Sequence, residues 1–137
     1  MKKFVSVIAA LGVVVSLFGC SGNYPLKGRV TFSDDGSPLE IGMVNFENEK
    51  GYARGELKKG GYYEVGYVGA KDGIPPGTYQ VYISGATVEE ELNNPDSKMI
   101  PLIDPAHTRP DRSGWEIKID GSTRVYDIKV NRPPKSE

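Results

Sequence analysis

The chain has 137 residues, with 17 Lys and Arg against 18 Asp and Glu, which suits one domain and gives no electrostatic footprint in composition for nucleic acid, whose binding calls for a clustered basic face. Its one cysteine, Cys20, excludes an intrachain disulfide and a thiolate metal cluster. Seventeen Gly, ten Pro and eight Tyr favour turn-rich β structure over helix, because Gly and Pro break helices while aromatic rings pack well on strands.

The first element is N-terminal. Lys2 and Lys3 precede an apolar run from Phe4 to Phe18 that only Ser6, Gly12 and Ser16 interrupt. A positive start followed by such a stretch predicts a secretory signal peptide, and the run falls short of the roughly 20 residues that a permanent membrane span needs. It ends in Leu17-Phe18-Gly19-Cys20. This resembles the lipobox of bacterial lipoproteins, matched at Leu17, Gly19 and Cys20, with Phe18 bulkier than the usual residue. The resemblance implies removal of residues 1–19 and lipidation of Cys20 as the new N-terminus. Residues 20–137 then carry 15 basic and 18 acidic side chains, a net charge of -3, because Lys2 and Lys3 leave with the signal. Two or more acyl chains anchor a protein stably, at about 0.8 kcal/mol per buried CH₂. Ser21, where an Asp would retain a lipoprotein in the inner membrane, implies the outer membrane if the source has two. An ordinary signal peptide, or a signal anchor with an incidental cysteine, is the alternative.

After a lipidated tether at 20–25, apolar residues recur with period two in short blocks bounded by turn residues. The predicted strands are Leu26 to Ser33, Gly42 to Glu47, Tyr52 to Lys58, Tyr62 to Val68, Thr78 to Ser84, Gly114 to Asp120 and Arg124 to Val130. Tyr79, Val81, Trp115 and Ile117 should point inward, while Tyr62 and Tyr82 fall on wet faces. Seven strands, each with one dry side, predict an all-β fold: an antiparallel β-sandwich over 26–131, with a polar tail at 132–137. Asp34-Asp35-Gly36, Lys59-Gly60-Gly61 and Asp120-Gly121-Ser122 supply turns. Thr87 to Ser113 has no strand signal and is long for a connection; Glu89 to Asn94 could form one or two helical turns within it.

Several of these segments resemble the transthyretin-like (prealbumin-like), or carboxypeptidase-regulatory-like, β-sandwich domain of small bacterial lipoproteins. They are Leu26-Lys27-Gly28-Arg29-Val30-Thr31-Phe32, Asp35-Gly36-Ser37-Pro38-Leu39, Val44-Asn45-Phe46, Gly60-Gly61-Tyr62-Tyr63 and, most closely, Gly73-Ile74-Pro75-Pro76-Gly77-Thr78-Tyr79-Gln80-Val81. Gly60 stands where the family usually has Asp. The resemblance implies a non-catalytic accessory or binding domain.

No residue pattern points to catalysis. His107 is the only histidine, its neighbour Thr108 belongs to no nucleophile motif, and it reads as an exposed loop residue. Asp34, Asp35, Asp96, Asp104 and Asp111 could donate oxygen to calcium, but none falls in an EF-hand-like run, and Asp34 and Asp35 read better as turn formers. The glycines at 60, 61, 66 and 69 precede no helix, so no phosphate loop is expected. The sequence therefore predicts a membrane-anchored module of the cell envelope with no cofactor and no metal, whose partner is another envelope protein. The alternative is a carbohydrate-binding module that stacks Tyr62 and Tyr82 on sugar. Binding, if present, is expected in the Thr87 to Ser113 connection.

Overall fold

A computed structural model describes residues 22–67, 69 and 71–135. The expected signal peptide, Cys20, Val68 and the last two residues of the expected tail lie outside this set. The described residues form nine strands and a short 3-10 turn at Pro105–Thr108, with no α-helix among them. In chain order the strands are β1 Lys27–Phe32, β2 Met43–Asn48, β3 Gly51–Glu56, β4 Tyr62–Glu64, β5 Gly77–Ser84, β6 Thr87–Glu89, β7 Met99–Pro101, β8 Trp115–Ile119 and β9 Ile128–Val130.

Alternation in the sequence becomes two-sidedness in space. In β5, Tyr79, Val81 and Ile83 are buried while Thr78 and Gln80 are exposed; in β8, Ile117 and Ile119 are buried while Glu116 and Lys118 are exposed. Four strands pair antiparallel in the order β3-β2-β5-β8, and three pair as β4-β1-β9. The dry faces of the two sheets meet in one core: Phe46 of β2 packs against Tyr63 of β4 with ring centroids 6.3 Å apart, and against Tyr126 at 6.4 Å. The chain itself closes one side. Tyr62, Tyr63 and Glu64 pair with β1, whereas Gly66 exchanges two backbone hydrogen bonds with Arg54 of β3, so this segment passes from one sheet to the other.

One pairing departs from the antiparallel expectation: β9 lies parallel to β1, with Val30 opposite Ile128 and Phe32 opposite Val130. After β8 the chain leaves the four-stranded sheet and crosses to the other, and a crossover between sheets can deliver a strand in either direction. The bridge between Lys27 and Val125 keeps the same offset. Between these contacts the Tyr126 carbonyl presses on Gly28, where a Cβ would lie 1.8 Å from that oxygen. The Tyr63 hydroxyl donates to the same carbonyl. Gly28 is thus needed for close backbone approach. Burial also raises the Tyr63 hydroxyl pKa well above its usual value, so it remains a donor.

Other motif residues have local explanations. The Pro75-Pro76-Gly77 segment leads into β5, and the Tyr79 hydroxyl donates to the Pro75 carbonyl at 2.9 Å, tying the start of the strand to the preceding turn. Asp35 accepts from the Ser37 backbone N–H and hydroxyl, and with Asp34 it pairs with Arg132. The Ser37 hydrogen bonds, helped by Arg132, bring the Asp35 pKa down to about 2. Arg132, at the start of the expected tail, also stacks over Phe32 at 3.9 Å.

Candidate functional site

The long connection is where the structure departs furthest from the expectation of a segment without strands and with one or two helical turns at Glu89 to Asn94. Its first part is an antiparallel hairpin, with Thr87 opposite Pro101, Val88 opposite Ile100 and Glu89 opposite Met99. No helical turn forms at Glu89 to Asn94. Asn93 adopts a left-handed φ of 68°, the Asn94 side chain bonds both Glu91 and the Asp96 backbone, and the Ser97 hydroxyl accepts from the Glu91 backbone N–H. Such local side-chain bonds compete directly with helical ones.

The hairpin is apolar without being covered. Val88 and Ile100 share one face and are partly exposed, Met99 is exposed on the other, and Leu92 at the turn is 83% exposed. Glu89, Glu90, Glu91 and Asp96 surround them, with Lys98 the only base of the segment. The hairpin's outer strand edges pair with no other strand among the described residues. An exposed mixture of large apolar and acidic side chains on an excursion that the sandwich does not need for closure has the chemistry of a contact surface.

The second part of the connection is held to the sandwich. Leu102 donates its N–H to the Ala86 carbonyl, and Ile103 is fully buried. Asp104 accepts from the Ala106 N–H and donates its own N–H to the Asn131 carbonyl. His107, expected to be exposed, is only 8% exposed. Its ring stacks on Trp115 with centroids 4.5 Å apart, and its Nε2 accepts the Asn131 backbone N–H at 3.0 Å. An acceptor nitrogen carries no proton, so the ring is held neutral, and burial lowers its pKa against the opposing charge of Asp104. Nδ1 is buried with no partner. The Ser113 hydroxyl donates to the Val81 carbonyl and accepts from the Trp115 N–H.

This arrangement commits the acceptor nitrogen of the chain's one histidine to the backbone. His107 uses Nε2 structurally, and the neighbouring Thr108 hydroxyl donates to the Pro105 carbonyl at 2.6 Å. Among the described residues, no group of three or more His, Cys, Asp or Glu is placed to hold a metal ion. No described helix is long and apolar enough to cross a membrane.

The two candidate sugar-stacking tyrosines lie on opposite sides of the molecule. Tyr62 is on the outer face of the three-stranded sheet beneath the Arg29 guanidinium, 5.2 Å from its ring centroid. Tyr82 is on the outer face of the four-stranded sheet, on the residue row of Arg54 and Asn45. With a packed core between them, one sugar ring cannot touch both. Tyr52, on the same outer face as Tyr82, carried no distinguishing signal in the sequence.

No family model matches the chain, and no curated protein matches it. Among solved structures it is similar to a variant of the major pilin subunit BcpA of Bacillus cereus, at 13% identity and a TM-score of 0.48. The match covers 82% of this chain but 30% of the pilin's own length.

Proposed function

We propose that the chain is a membrane-tethered, non-catalytic module of the cell envelope that holds another envelope protein through the β6–β7 hairpin. One observation carries this reading: the hairpin presents Val88, Leu92, Met99 and Ile100 uncovered among four acidic side chains. The lipobox-like ending at Cys20 supports the tether, and the transthyretin-like motifs support an accessory role. The position of the hairpin agrees with both. Tyr24 pairs with Ile74 just before β5 begins, and the hairpin starts just after β5 ends, so an eight-residue strand, roughly 25 Å long, separates tether from hairpin. A docked protein would therefore not compete with the anchor. The glycan reading draws less support, because Tyr62 and Tyr82 face away from each other.

The anchor is tested by intact-mass measurement of protein from the membrane fraction, which should show loss of residues 1–19 and added lipid. Cys20→Ser should block both; normal processing of that variant would rule the lipoprotein reading out. The hairpin is tested in cells with a photo-crosslinking residue at position 92 and, as a control, at position 78 on the four-stranded sheet. A discrete adduct from position 92 alone, abolished by Val88→Asp with Ile100→Asp, is the expected result. Equal crosslinking from both sites would show the hairpin to be passive.

A further inference from the structure

The outer face of the three-stranded sheet differs electrically from the rest of the chain. Two open grooves adjoin on it, of about 360 and 340 Å³, sharing Lys27, Glu64 and Lys71. Five cations line them (Lys27, Arg29, Lys58, Lys71 and Arg124) against two carboxylates, Glu64 and Asp127. That is a net charge of +3 on a chain whose residues 20–137 sum to -3. Among the described residues none of the five cations is in an ion pair, and the Asp127 carboxylate is occupied by the Arg29 backbone N–H. Lys129 points outward on the same face, opposite Thr31. Tyr62 and Val125, both more than half exposed, sit among these cations. The opposite sheet presents a different surface, with Glu47, Glu56 and Glu116 alternating with Arg54 and Lys118.

The chain's N-terminal segment reaches the fold at this basic face. Tyr24 exchanges two backbone hydrogen bonds with Ile74, Arg124 lies over its ring at 5.4 Å, and Pro25 and Leu26 line the second groove beside Lys27, Lys71 and Arg124. Between Cys20 and Tyr24 there is at most roughly 14 Å of extended chain. An anchor at Cys20 therefore holds the nearest cations close to the headgroups, where unpaired charges respond to an anionic surface over a Debye length of about 8–10 Å.

We infer that the outer face of the three-stranded sheet lies against anionic phospholipid headgroups, so that the sandwich rests on its basic side instead of swinging freely from its tether. This rests on the lipid-anchor reading of Cys20. Headgroups fit the face better than a free anion does, because the cations spread along β1 and its neighbours instead of converging on one point, and because Tyr62 and Val125 suit the boundary between headgroups and acyl chains. With this face down, the four-stranded sheet and the hairpin that continues from β5 stay open to a partner.

Full-length protein purified from membranes would be reconstituted into vesicles of phosphatidylcholine alone, or with about one third phosphatidylglycerol, and its lysines labelled with an amine-reactive ester. At low salt, Lys27, Lys58 and Lys71 should react several-fold more slowly on the anionic vesicles, while Lys50, Lys98 and Lys118 react equally on both. Salt near 1 M, where the Debye length is about 3 Å, should abolish the difference. Each surface cation contributes about fivefold to such partitioning. The exposed substitutions Lys27→Glu and Lys58→Glu together should therefore remove most of the protection of Lys71 without unfolding the domain, as judged by circular dichroism. Equal labelling on the two vesicle types would overturn the inference, as would equal protection by saturating inorganic phosphate in solution. Intact mass of the same sample reports the lipid on Cys20 separately: an unacylated chain would remove the anchor, while the labelling contrast would still decide whether the face binds headgroups.

Discussion

The two halves of the connection between β5 and β8 share one stretch of chain and have opposite fates. Residues 87–101 form a hairpin with uncovered apolar side chains, whereas 102–113 are fixed to the sandwich by Ile103, His107 and Ser113. The difference shows that length alone does not make a connection mobile. A few side chains that reach buried partners turn part of it into core, and the remainder is left available for contact.

Ile103 should break the comparison most strongly. It is fully buried although it belongs to the connection, so Ile103→Ala should cost about 2 to 5 kcal/mol in denaturant unfolding, within the range of a core substitution in a strand such as Ile83→Ala. A cost under about 0.5 kcal/mol would show that the second half is loosely held. His107→Ala removes the stacking on Trp115 and leaves the Asn131 N–H without its acceptor, and should cost about 1 to 3 kcal/mol.

The same histidine gives a pH dependence of known sign. The fold holds the ring neutral and lowers its pKa from 6.5, so below that pH the unfolded chain binds the proton more readily than the folded one. The His107 contribution should be complete above about pH 6.5 and decline as pH falls towards the lower folded pKa. Thermal melts should show this decline, and His107→Gln, which can still accept from Asn131, should flatten it. The smallest effect is expected in the hairpin: Leu92→Ser should change stability by less than about 0.5 kcal/mol, since the side chain is 83% exposed. A large loss there would show that Leu92 is packed and not presented.

The sandwich strands were legible because their signal is local. Period-two alternation at Tyr79, Val81 and Ile83 states which side is dry, and each of the seven predicted blocks overlaps a strand. The hairpin was not legible: its strands are three residues each, too short for alternation to register, and Pro101 ends one of them. His107 was misread because its setting, between Pro105 and Pro110 among charged residues, looks like surface, while the groups that bury it lie 8 and 24 residues away. The basic face was hidden by the near-neutral total, which averages over both sides of the molecule.

By itself the sequence determined the all-β class, the two-sided strands, the turns and the inward positions of Tyr79, Val81 and Ile117, because backbone preference and solvent transfer act on each residue and its near neighbours. The parallel placement of β9 beside β1, the burial of His107, the separation of Tyr62 from Tyr82 and the gathering of five cations on one face were decided only by the tertiary structure. Each depends on which distant segments meet, and that is a property of the packed core as a whole.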